Sequence, residues 1–258
     1  MRKIIFITAI LVVLSPLVYS AKKPHDFYQL KIYHLKSNEQ VGQVDQYLKD
    51  ISLPALHRLG IKNVGVFKPI ANDTAAMKLI YVLIPFNSAD GWIKAEDALA
   101  KDAVYISSGK SFNEAPFDKA PYERVESILL DAFSEQQHLV LPAIKSPERV
   151  FELRSYESPT QSLAEKKMAM FNTGGEIAIF KRLGFNPVFY GRVVSGSRMP
   201  NFMYMPVFDN LQQKEAQWKT FGNDPQWKDI SAKPENENKV AVSHIDSILM
   251  HSTPYSDY

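Results

Sequence analysis

The 258-residue sequence contains no cysteine. That excludes thiol catalysis, zinc–thiolate sites and iron–sulfur clusters, and it leaves the fold to be held by burial alone. Net charge of one sign is also missing. The formal +2 comes from Arg2 and Lys3, and beyond them 28 basic residues face 28 acidic ones. Nucleic-acid binders carry a basic excess that replaces counterions on phosphates, so no nucleic-acid partner is expected. Beyond residue 20, no apolar run approaches the ~20 residues of a membrane-spanning helix.

Several familiar motifs fail as well. Gly109-Lys110-Ser111 has the tail of a phosphate-binding loop, but the required earlier glycine position holds Val104. Ser195-Gly196-Ser197 lacks the Gly-x-Ser-x-Gly frame of a nucleophile elbow. The histidines at 25, 34, 57, 138, 244 and 251 never recur at helical metal-ligand spacing. No cofactor is identified from motifs; a haem, needing one histidine, would use His57 or His244.

What is present begins at the start of the chain. Arg2 and Lys3 precede an apolar stretch from Ile4 to Leu14, and Val18 and Ser20 are small residues before Ala21. This succession describes a secretory signal peptide over 1–20 and an exported, periplasmic or secreted protein beginning at Ala21.

The chain then repeats itself. Phe27-Tyr28-Gln29-Leu30-Lys31-Ile32-Tyr33 aligns with Val150-Phe151-Glu152-Leu153-Arg154-Ser155-Tyr156, Leu56-His57-Arg58-Leu59-Gly60 with Phe180-Lys181-Arg182-Leu183-Gly184, and Glu126-Ser127-Ile128-Leu129-Leu130 with Asp246-Ser247-Ile248-Leu249-Met250. The order is kept, which divides the chain into 1–20, a first unit 21–137 and a second unit 138–258. Each unit opens with an alternating strand (26–34, 149–157). A helix follows (40–59, 161–183), with Gly60 or Gly184 placed for the left-handed position past its end. Two strands come next (62–69 and 77–86; 187–194 and 201–208), then a helix capped near Ser88 or Asn210. A last strand covers 122–131 or 239–250. This is βαββαβ, a ferredoxin-like α+β unit. Pro54 is expected to split the first helix. The extra length from Lys101 to Pro121 reads as loop.

Phe151-Glu152-Leu153-Arg154-Ser155-Tyr156, Arg182-Leu183-Gly184 and above all Asn223-Asp224-Pro225-Gln226-Trp227 resemble the NIPSNAP family. The first unit departs from that pattern: Gln29 and Lys31 stand where Glu and Arg are expected. The resemblance implies the dimeric α/β-barrel fold, two tandem ferredoxin-like sheets closing face to face, here within one chain. Wider relatives of that fold include haem-degrading and cofactor-free monooxygenases, haem peroxidases and small-molecule-binding proteins.

Strand alternation separates Phe151, Leu153 and Ser155 from Glu152, Arg154 and Tyr156, and Tyr28, Leu30 and Ile32 from Gln29, Lys31 and Tyr33. The apolar sets suit the helix layer, which turns the polar sets into the barrel. There they form either an ion-pair network between the halves or the lining of a ligand pocket. His244 and Asp246, two apart on the last strand, join this interior set as an oriented imidazole or a satisfied polar pair. Trp218 and Trp227 read as core. The leading function is a barrel that binds a small apolar or aromatic ligand, homo-oligomers being compatible with the pattern. An oxidoreductase of the monooxygenase type and a protein-interaction scaffold using 102–121 are the alternatives.

Overall fold

A computed structural model describes residues 24–143 and 145–258. The segment 1–20 expected to be a leader lies outside them. Eight strands form a closed, wholly antiparallel barrel in the order β1-β3-β2-β8-β5-β7-β6-β4. The first half runs β1 (Phe27–Leu35), α1 (Asn38–Tyr47), α2 (Leu53–Arg58), β2 (Gly65–Pro69), β3 (Lys78–Phe86), α3 (Gly91–Leu99), α4 (Ala103–Asn113) and β4 (Arg124–Ala132). The second runs β5 (Val150–Glu157), α5 (Gln161–Phe171), α6 (Glu176–Arg182), β6 (Asn186–Ser195), β7 (Asn201–Phe208), α7 (Leu211–Asn223), α8 (Pro225–Ser231), the short α9 (Asn238–Ala241) and β8 (His244–Ser252). Each half is ferredoxin-like, and the fold class expected from the sequence is the one observed.

The halves are sewn together by two seams. β4 pairs with β6, matching Asp131 to Arg192, and β2 pairs with β8, matching Lys68 to His251. Both seams are antiparallel backbone ladders, so neither sheet keeps a free edge.

Local chemistry explains the element ends. Ser37, Thr160 and Asn210 cap α1, α5 and α7 by accepting from the backbone N–H three residues on. Gly60 and Gly184 end α2 and α6 at φ +79° and +76°, the left-handed conformation a side chain resists. Pro54 sits in the first turn of α2, where its missing N–H costs nothing, and a π-helical turn over Leu48–Ser52 joins it to α1.

Two expectations need correction. The 101–121 segment is not a loop: α4 occupies its centre. Asp102 caps that helix by accepting from the Val104 and Tyr105 N–H groups. Tyr105 and Phe112, seven residues apart on one face, pack on Tyr47, whose ring stacks on Phe112 at 3.9 Å. The last strand starts at His244 and not at 239, because residues 238–241 make the turn of α9.

Three apolar cores result. Tyr28, Leu30, Phe67, Leu83, Leu130, Phe151, Leu153, Phe189, Met205 and Met250 fill the barrel. An eight-stranded barrel is just wide enough for side chains to fill it. The C-terminal Tyr258 closes one end against Phe67 and Phe151. The second core lies between the first-half strands and α1–α4, and the third between the second-half strands and α5–α8. No helix among the described residues is long and apolar enough to cross a membrane.

Because each half supplies one wall of the shared interior, the chain is expected to melt in one cooperative calorimetric transition. Two well-separated transitions assignable to 21–137 and 138–258 would contradict the closed barrel.

Candidate functional site

The polar strand faces point the other way from the sequence expectation. Phe151 and Leu153 are in the barrel, whereas Glu152, Arg154 and Tyr156 lie on its outer face beneath the helices. The reason is the supply of partners. The barrel's core residues offer only the Tyr28, Tyr81 and Tyr258 hydroxyls as polar groups, too few to compensate an ion pair. The helix layer brings hydrogen-bond donors.

Those partners make a complete network around Glu152, whose side chain is 1% exposed. Arg154 Nη1 donates to Glu152 Oε1 at 2.6 Å, and Ser247 Oγ from the neighbouring β8 donates to the same oxygen at 2.6 Å. Trp218 Nε1 from α7 donates to Oε2 at 2.7 Å. Arg154 also donates to the Tyr156 hydroxyl at 2.9 Å and lies 4.7 Å from the Trp218 ring centre. The Tyr156 hydroxyl is 3.4 Å from that of Tyr204. Of the two roles the sequence left open, the geometry gives these residues a structural network, one that forms a wall of something larger.

Behind it stands a layer of aromatic rings centred on Phe171. Phe202, Tyr204, Tyr156, Phe180, Tyr190 and Phe133 surround it at 4.9–6.4 Å. Two ionisable groups are sunk into this layer, and the sequence reasoning missed both. Glu176 opens α6 after Gly175, which at φ +93° turns the chain in from α5. Glu176 is 3% exposed, and its Oε2 has no hydrogen-bond partner among the described residues. Burial, only partly offset by Lys167 and Arg154, pushes its carboxyl up to about 8. Lys167, also 3% exposed, lies on the buried face of α5. Its Nζ reaches Met170 Sδ at 3.6 Å and the ring centres of Phe171 and Trp227 at 5.8 and 6.0 Å. Burial pulls its ammonium down, and Glu176 counters part of that. A helical count was the available signal: Ala164, Lys167, Met168 and Phe171 fall on one stripe. The Tyr190 and Tyr204 phenols are raised by the same burial.

A surface cavity of about 360 Å³ adjoins the layer, lined by His25, Asp131, Phe133, Met168, Asn172 and Arg192 among others. A second, of about 230 Å³, shares Met168 and Arg192 and includes Ala164 and Met199. Phe133 and Met168 belong both to the 360 Å³ cavity and to the aromatic core.

Residues 151–257 match the NIPSNAP family model. This half is a NIPSNAP domain. No curated protein sequence matches the chain. Among solved structures it is similar over nearly its whole length to a monooxygenase-like protein from Lactobacillus acidophilus, with 12% identity, a TM-score of 0.57, and 88% of this chain and 94% of that one covered. A monooxygenase-like protein from Fusobacterium nucleatum gives 7% identity and a TM-score of 0.57, covering 90% and 94%. An anthrone oxidase-like protein gives 9% and 0.53, covering 90% and 92%. These likenesses establish the barrel fold.

The other expected site residues are not brought to the NIPSNAP network. Gln29, Lys31 and Tyr33 lie under the first-half helices, four strands away around the barrel. Gln29 donates to Ser127 at 2.8 Å and Lys31 to Glu96 at 3.1 Å. His244 and Asp246 sit at an open barrel end, 2.9 Å apart, where Arg198 bridges Asp246 and Glu157. These two therefore form a satisfied surface pair and no interior site. His57 is on α2, paired with Asp257.

Arg154→Ala leaves the buried Glu152 carboxylate without its counter-charge, and loss of one member of a buried pair typically costs about 3–5 kcal/mol. Arg182 is 46% exposed, so water can take the place of its guanidinium against the 6% exposed Asp224, which keeps the Trp227 N–H, and its loss costs less. Arg154→Ala is therefore expected to melt several degrees below Arg182→Ala; equal melting temperatures would refute the buried network. Glu176 sets a pH dependence. It ionises near its ordinary 4.5 when unfolded and near 8 when folded, so it destabilises the fold progressively as pH rises from 4.5 to 8. The slope is at most roughly 1.4 kcal/mol per unit and flattens above 8. Lys167 has the opposite sign towards higher pH, and Glu176→Gln removes the charge that counters part of its fall. Across pH 4.5–8, Glu176→Gln should gain stability relative to wild type, read by denaturant titration at each pH.

Proposed function

We propose that the NIPSNAP domain binds a small aromatic or apolar molecule carrying one polar group, in the layer between its sheet and α5–α8. One observation carries this reading. Glu176 Oε2 is a fully buried polar atom without a partner, set in a wall of aromatic rings. A buried acceptor or donor left unmade costs about 1–3 kcal/mol, and such atoms in native folds mark a missing water or ligand. The rest of the wall is mostly aromatic and apolar, as ligand sites generally are, with Lys167 and the Tyr156, Tyr190 and Tyr204 hydroxyls as its few polar groups. Met168 and Met170 at its margin are unbranched and deformable, suiting an entrance from the 360 Å³ cavity. The basic and apolar succession at 1–20 supports placing this binding protein outside the cytoplasm.

A second reading is chemical. The barrel is shared with monooxygenase-like and anthrone oxidase-like proteins, whose named chemistry concerns oxidation. The stacked phenols Tyr190 and Tyr204, 5.4 Å apart, and the neutral carboxyl of Glu176 favour a bound phenol over an anion. Oxygen uptake with such a compound is the measurement that would promote this reading over simple binding.

Trp218 and Trp227 flank the layer and serve as reporters in a Trp92→Phe background. Titration with small phenols and benzyl alcohols is expected to change their emission saturably in wild type. Glu176→Leu should weaken binding about tenfold or more, consistent with a buried hydrogen bond worth ~1.5 kcal/mol. A response unaffected by Glu176→Leu, or no response to any member of the series, would overturn the assignment.

A further inference from the structure

The Lys167 amine has no use in the binding reading, yet its surroundings are unusual for a lysine. Lysines are almost never fully buried unless paired. Lys167 is buried, and no carboxylate stands within ion-pair distance of it; the acceptor it reaches is a thioether sulfur. Two aromatic faces, Phe171 and Trp227, cover it. Lys166, next in the chain, is exposed, so the helix could have turned a lysine to water and instead places one inside. Glu176, whose Oε2 is unpartnered, is the charged group that acts most strongly on the amine.

From this juxtaposition of a buried amine, an unpartnered carboxyl and an aromatic wall, we propose that Lys167 is a covalent anchor for an aromatic or apolar aldehyde or ketone, which it holds as an imine. The inference rests on the proposed ligand layer and names the class of ligand it takes. A buried amine held neutral is nucleophilic. Desolvation, the first cause acting on Lys167, lowers its ammonium towards that state, with Glu176 opposing part of the fall.

The step balances without any other reagent. The Nζ lone pair attacks the carbonyl carbon, and the C=O π pair moves to oxygen, which takes a proton from the Glu176 carboxyl. The carboxylate then removes one proton from nitrogen. Nitrogen's remaining lone pair closes the C=N bond while the C–O bond breaks. The oxygen, protonated again through Glu176, leaves as water, and the Glu176 carboxylate takes the last proton from the iminium nitrogen. One amine and one carbonyl thus become one imine and one water. The aromatic layer excludes bulk water, which opposes hydrolysis of the product. No oxidation or reduction occurs, so the anchored carbonyl compound is released unchanged when water returns.

Borohydride trapping tests this on the intact chain. Protein is incubated with benzaldehyde and sodium cyanoborohydride at neutral pH and mapped by peptide mass. The expected result is one benzyl group per chain, on the peptide containing Lys167, formed before Lys166 or the other surface lysines react. Glu176→Gln should slow this labelling at least tenfold, and Lys167→Met should abolish it. The wild-type map alone decides the matter if Lys167→Met does not fold. Benzyl alcohol, with the same ring and no carbonyl, reports the underlying binding through tryptophan emission. Saturable binding of benzyl alcohol with labelling confined to surface lysines would overturn the imine and leave the ligand layer standing. Absence of both would overturn the layer and the anchor together.

Discussion

Closure of the barrel is the constraint on which everything else depends. Once β4 pairs with β6 and β2 with β8, every strand has one face in the barrel and most have the other beneath helices, while β4 and β8 keep exposed outer residues such as Ser127 and Ser247. A polar residue on a covered strand no longer has water as a default neighbour, and its position is decided by which covered side can satisfy it. Inside the barrel, Tyr28, Phe67, Phe151 and Phe189 offer one hydroxyl and no charge to pair with. Outside, α7 delivers Trp218 Nε1 and β8 delivers Ser247 Oγ, so Glu152 and Arg154 go there. The alternation of strands then fixes all the rest: Phe151 and Leu153 must enter the core because their neighbours cannot.

This also explains what the sequence displayed and what it concealed. The two units, their element order, Pro54 breaking a helix and the glycines past the helix ends were all legible, because period, caps and breakers are local. The face assignment was not. An apolar strand set is compatible with either side when both sides are buried, and only the identity of the facing residues chooses between them. Trp218, 66 residues beyond Glu152, could not be placed against it from spacing. Lys167 was concealed for a different reason: in Glu165-Lys166-Lys167 it looks like one more solvated charge, and its burial follows from the phase set by Ala164, Met168 and Phe171. The α4 segment misled in the opposite direction, its glycine and serines suggesting a loop where Tyr105 and Phe112 commit one face to Tyr47.

The carboxyl of Glu176 and the amine of Lys167 are costly in the folded state by themselves. Each is desolvated, and they are not in ion-pair contact. A domain that needed only stability would gain from apolar residues at both places, since replacing buried charges by well-packed apolar groups is often neutral or favourable. Glu152 and Arg154 are different, because every oxygen and most donors there are satisfied. The second half therefore contains one completed polar network and, a few ångströms further under the helices, one incomplete pair. Incomplete polar groups in a packed layer are the expected mark of a site whose final partner is a ligand.

The first half shows what the same framework looks like when that pair is absent. Gln29 repeats the contact of Glu152, bonding Ser127 as Glu152 bonds Ser247, and Lys31 takes the place of Arg154 with Glu96 as its partner. Tyr33 answers to Tyr156. Beyond these, the layer closes: the Tyr47 and Tyr105 hydroxyls bond each other at 2.5 Å, and the space between sheet and helices is about 30 Å³. That volume admits a water and nothing larger. Val44, Leu48 and Leu56 complete a wall without an ionisable orphan. The α4 insertion adds Phe112 over Tyr47, filling the space that would admit a ring. On the proposed reading, the first half is the scaffold that closes the barrel and the second is the half that holds the ligand.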